Sequence, residues 1–171
     1  MGIEAVARRY VKLRNRYRPR RIRAVFLLES PPVSGKYFYE ERGRTSEPLF
    51  RAMMGLLDLA PASKPEGLRQ FQNAGYLLVD AVYYPVNGMS YSLRDATISR
   101  NVPNLVRDLR QLGIGRLTPL VLVKTNVYRL LNRPIVAHGF NVLNGGTPIP
   151  FPSHGWQKKF HVRARRFLVI T

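Results

Sequence analysis

Two apolar patterns alternate along this chain: short continuous runs, and stripes at helical spacing. The runs at 24–28, 76–82 and 120–124 show no polar alternation, as expected for strands buried on both faces of a parallel sheet. A weaker run at 140–143 gives a fourth strand. Between them lie the helical stripes. Val6, Tyr10, Leu13 and Tyr17 mark a helix over 3–17, with Arg8, Arg9, Lys12, Arg14 and Arg16 on its other faces. Ser46-Glu47-Pro48 opens a second helix, whose buried stripe is Leu49, Met53, Leu56 and Leu57. A turn at 61–65 leads into a short helix that stops by Gly75. Ile98, Val102, Leu105, Leu109 and Leu112 keep the helical period, and Pro103 divides that stretch into two helices. Thr125-Asn126 opens another helix, and 157–167 reads as a final, strongly basic one. Strand–helix alternation of this kind implies an α/β fold, a three-layer α/β/α sandwich around a central, mainly parallel four-stranded sheet. There is no internal repeat or boundary, so 1–171 reads as a single domain.

Composition sharpens this picture in two ways. The chain has no cysteine, which excludes disulfides, thiolate metal sites and a thiol nucleophile. Its 28 Lys+Arg against 10 Asp+Glu leave a net charge of +18, most of it arginine. Arginine forks match phosphate oxygens, and a basic surface interleaved with aromatics and turns points to nucleic acid before a membrane surface. No apolar run approaches the ~18 residues of a membrane span, and the N-terminus has no signal-peptide core, so a cytoplasmic location is expected.

The chemistry gathers where the strands end. The first run breaks into Glu29-Ser30-Pro31-Pro32, followed by Ser34-Gly35-Lys36-Tyr37-Phe38-Tyr39. Asp80 closes the second run, Lys124 with Asn126 the third, and a rigid loop after the fourth carries Phe151-Pro152-Ser153-His154-Gly155-Trp156. Open α/β sheets bind ligands outside the carboxyl ends of their strands, which places these groups on one edge. A carboxylate closing an apolar run costs stability unless something pairs with it, so Glu29 and Asp80 are either site residues or salt-bridge partners. His138 and His161 read as structural or surface residues. The histidines are scattered and no acidic pair has ligand spacing, so neither metal nor cofactor is expected.

In order and kind these pieces resemble the uracil-DNA glycosylase superfamily. That family carries a Gly-Gln-Asp-Pro-Tyr-His type loop after its first strand and then a base-stacking Phe. Its second strand ends in Asn, and a His-Pro-Ser-Pro-Leu-Ser type loop follows the last strand. Here Leu28-Glu29-Ser30-Pro31-Pro32 is similar to the first loop, Phe38 or Tyr39 to the stacking ring, 77–82 to the Asn strand, and 151–155 to the last loop. The resemblance covers roughly 22–168 and implies a monomeric, monofunctional DNA glycosylase without cofactor, acting on DNA that contains uracil or damaged bases.

Ser30 stands where the family has its water-activating Asp, so Glu29 or Asp80 would take that role, with Ser30 and His154 as donors. Asp80 in place of Asn implies a preference broader than uracil. Pro31, Tyr37, Phe38, Tyr39 and Asn126 are the expected base contacts. Lys36, Lys124, Ser153, Gly155, Trp156, Lys158, Lys159 and Arg163 are the expected DNA contacts, with Trp156 a possible wedge in the base stack. A catalytically inactive nucleic-acid binder of the same fold is the alternative, and a metal-dependent nuclease using Glu29 and Asp80 a more remote one.

Overall fold

The computed structural model describes residues 2–168. Helix α1 (Ile3–Arg16) leads into strand β1 (Ala24–Leu28). Helices α2 (Pro48–Leu56) and α3 (Lys64–Asn73) connect it to β2 (Tyr76–Asp80). Helices α4 (Tyr91–Arg100) and α5 (Val102–Gln111) lead to β3 (Pro119–Leu122), and α6 (Thr125–Ala137) to β4 (Asn141–Val142). Helix α7 (Gln157–Leu168) follows the last loop. The strands form one all-parallel sheet in the order β2-β1-β3-β4, flanked by helices as a three-layer α/β/α sandwich. No helix among the described residues is long and apolar enough to cross a membrane.

Every residue of β1 and β2 is buried, as their unbroken apolar sequences require. Leu28 pairs with Asp80 across the ladder, so the two strands end level. The chain goes from β1 out to β2 and then returns past β1 to β3. Connections leave β1 and β3 in opposite directions, and a crevice opens between their carboxyl ends. Pro103 sits in the first turn of α5 and Asn101 separates α4 from α5, as the two-helix reading expects.

Two side chains finish the sheet where backbone partners run out. β2 is an edge strand, and the buried Tyr39 hydroxyl accepts from Leu78 N (2.7 Å) and donates to Leu78 O (3.1 Å). Beside β3, the fully buried Asn144 amide accepts from Leu122 N (2.9 Å) and donates to Leu122 O (3.0 Å). Asn144 thus stands in for a strand residue just past the two-residue β4.

One basic residue of α1 departs from its sequence reading. Arg14, read as one of the residues flanking the apolar stripe, is 1% exposed. Its guanidinium forks onto Asp108 of α5 (2.5 and 3.0 Å) and donates to the Tyr83 hydroxyl. It lies four residues after Tyr10 and three before Tyr17, on the same buried face.

Candidate active site

At the carboxyl edge of the sheet lies a cavity of about 310 Å³, reached by Leu28, Glu29, Ser30, Lys36, Tyr37 and Phe38 from the β1 end, Leu78 and Asp80 from β2, Lys124 from β3, Phe151 from the last loop, and 47–50 at the start of α2. Parallel strands all end on this edge, which is why residues so distant in sequence meet here.

Glu29 is the hub of its floor. Lys124 Nζ donates to Oε2, while Asn126 Nδ2 (2.5 Å) and Arg94 Nε (3.4 Å) approach Oε1. The carboxylate is nearly buried, and both of its oxygens are engaged. Lys124 reaches it from a strained backbone, φ +87° and ψ 133°, at the junction of β3 and α6. Side chains seldom adopt that conformation, which costs about 1–3 kcal/mol and persists only where the surroundings enforce it. Here Lys124 N donates to Ile149 O (2.8 Å) and Lys124 O accepts from Tyr128 N (3.0 Å), pinning the residue on both sides.

Asp80 is in a different condition. Its side chain is 2% exposed and Oδ2 has no hydrogen-bond partner. Burial pushes its carboxyl up to about 7, against the opposing pull of the Tyr37 hydroxyl and the Arg14 guanidinium. The Tyr37 hydroxyl, in the same cavity wall, is likewise buried and without a partner of ordinary geometry, and burial raises its pKa. The Tyr37 hydroxyl therefore steadies the ionised Asp80, and Asp80 Oδ2 is left for water or a ligand to meet.

The aromatic run divides by function. Tyr37 packs edge-on to Tyr10 (4.7 Å between centroids) and Phe38 edge-on to Phe71 (5.1 Å), and both line the cavity. Tyr39 does not, because its hydroxyl is committed to the edge of β2 and its ring is fully buried. Lys64, which the sequence reading passed over, holds this run in place. Its buried ammonium donates to Tyr37 O and Glu47 Oε2 (2.7 Å each) and lies over the Phe50 ring.

Several expected contacts lie elsewhere. The Ser30 hydroxyl lines the cavity but donates to Pro31 O (3.2 Å) and accepts from Val86 N (3.3 Å), bracing one loop against another. Pro31 is buried behind the wall that Pro32 forms. Asn126, Ser153 and Trp156 line an adjacent hollow with Arg94, Lys124 and Phe151. His154, Gly155 and Lys158 line a third, with Pro48 and Arg51. His154 is exposed in a turn where Trp156 N donates to Ser153 O (3.0 Å) through a left-handed Gly155, and it lines a hollow other than the one that holds Glu29 and Asp80. Lys159 lies over the Trp156 ring, and Arg163 donates to Pro148 O, tying α7 to the loop before it. Lys36 is exposed at the cavity mouth.

No protein-family model matches the chain, and no curated protein matches it in sequence. Its chemistry is therefore argued from its own residues.

Proposed function

We propose that this protein is a DNA glycosylase that draws a uracil or another deaminated or damaged base out of DNA and hydrolyses its N-glycosidic bond. The observation that carries the reading is Asp80, buried beside the Tyr37 hydroxyl with its Oδ2 lacking a bond of ordinary geometry, in the wall of a largely apolar cavity at the carboxyl edge of the sheet. An extruded base is flat and mostly apolar on its faces, with polar atoms around its rim, and such a cavity suits it. Phe38 and Leu49 supply apolar wall. Tyr37 donates to a base oxygen as negative charge builds on the departing base. Asp80, as carboxylate, orients a water toward C1′ of the sugar and takes its proton while the C1′–N bond breaks and the base leaves with the bonding pair.

Between the two acids the reading favours Asp80, because the oxygens of Glu29 are already held by Lys124, Asn126 and Arg94. Glu29 then fixes the cations that flank the reacting centre. Lys36, Trp156, Lys158 and Lys159 lie exposed around the mouth and the neighbouring hollows, free to meet the phosphate backbone.

A second reading, a nucleic-acid binder without catalysis, draws on the engaged hydroxyl of Ser30 and the placement of His154 outside the lining of the cavity. Labelled oligonucleotides containing uracil, hypoxanthine or xanthine, incubated with the protein and then treated with alkali, separate the two. A glycosylase leaves abasic sites that alkali cuts. Intact strands with all three bases, alongside undiminished binding, would select the non-catalytic reading.

A further inference from the structure

At the opposite end of the sheet, the segment joining α1 to β1 reads Arg18-Pro19-Arg20-Arg21-Ile22-Arg23. Arg20, Arg21 and Arg23 are exposed and line a basin of about 570 Å³ with Gln72, Asn73 and Gly75. Among the described residues every carboxylate except Glu66 and Asp80 has a basic partner, and none of those partners is Arg20, Arg21 or Arg23.

The segment is held rigidly. Gln72 Nε2 donates to Arg18 O (3.0 Å), the Arg18 guanidinium donates to Leu112 O (3.1 Å), and Arg23 N donates to Gly75 O (2.7 Å). The left-handed Gly75 leaves room for the Arg23 stem, since a Cβ there would sit 2.7 Å from Arg23 Cγ. Pro19 is buried and fixes the bend. The backbone that carries these like charges is thus anchored at both ends, while the guanidinium groups extend into solvent.

The basin and the cavity lie at opposite ends of the sheet. The basin faces the amino ends of β1 and β2, and a five-residue strand separates it from Glu29 and Asp80. At about 3.3 Å per residue that is roughly 16 Å of strand alone, beyond the Debye length of about 8 Å at physiological salt. Backbone phosphates held at the cavity mouth are therefore screened from it.

We propose that this basin is a second nucleic-acid binding surface, gripping the phosphate backbone of a separate segment so that one protein molecule joins two. The inference rests on the reading that the cavity face binds nucleic acid, and not on any catalysis there. Nucleic acid fits better than an anionic membrane, because the basin's exposed lining is arginine and amide with no large apolar side chain to enter a bilayer.

The test uses a short duplex fixed on beads, saturated with protein, and then offered a second, labelled duplex. Wild type should capture the label. Arg20→Gln/Arg21→Gln, which alters only exposed side chains, should bind the first duplex as before and capture the second about tenfold less. The salt dependence of that second capture should fall by a slope of about 2, one counterion per lost arginine. Equal capture by variant and wild type would overturn the proposal, as would a wild type that captures no second duplex. So would a variant that loses binding to phosphatidylserine vesicles while still joining duplexes.

Discussion

Tyr37 and Tyr39 are two residues apart, equally buried, and opposite in consequence. Tyr39 satisfies both backbone groups of Leu78, so Tyr39→Phe should destabilise the fold by about 1–3 kcal/mol, measured by urea unfolding. The Tyr37 hydroxyl has only the Asp80 carboxyl beside it, so Tyr37→Phe should cost clearly less stability than Tyr39→Phe while slowing base release by about 100-fold. Equal losses of stability in both variants would contradict the assignment. Asp80 makes a similar prediction through pH. Its carboxyl is raised from 3.8 to about 7, so folding favours its protonated form. The resulting stability is fully present below pH 4, declines as pH rises, and is gone above pH 7. Asp80→Asn should abolish that decline in thermal melts taken across this range. Asp80 was legible in sequence because a carboxylate closing an apolar run stands out. Arg14 was not, because it sits among similar arginines and its partner Asp108 is far along the chain; only its place on the face of Tyr10 and Tyr17 gave a clue. The loop of His154 was legible as a rigid turn, but not the hollow that it lines, because that follows from the left-handed turn at Gly155.

Among the elements, the β3–α6 junction concentrates strain where the site needs it. Lys124 accepts a conformation suited to glycine and brings its ammonium onto Glu29. Lys124→Gly and Lys124→Ala both delete that ammonium, so the difference between them isolates the backbone. The Gly variant should be the more stable by about 1–2 kcal/mol in denaturant unfolding. If the Ala variant matched it, the strain assigned to this residue would be absent. Strands were legible as apolar runs and helices as stripes, because burial on two faces or on one leaves distinct periods. The ladder-extending side chains of Tyr39 and Asn144, and the ammonium of Lys64 beneath the aromatic run, were not legible. Each depends on a tertiary partner with no local signature.

At the scale of the whole molecule, a net charge of +18 is distributed over a sheet whose two ends differ in kind. The carboxyl end holds the cavity, lined by three acids and two lysines; the amino end holds an uncompensated arginine segment. Composition suggested nucleic acid as a partner but said nothing of geometry, because that follows from which strand ends each arginine adjoins. The parallel topology brought Glu29, Asp80 and Lys124 together as strand-end logic expected, whereas the split of the last loop into two separate hollows followed from its turns. The measurement that bears most directly on the account is the single-turnover rate of base release from damaged DNA, followed against pH for wild type and Asp80→Asn, with binding measured in parallel. The wild-type rate should rise through a single ionisation near pH 7, and the variant should be at least about 100-fold slower with affinity unchanged. Equal rates for the two proteins, with or without a pH dependence, would contradict the role assigned to Asp80 and the cavity built around it.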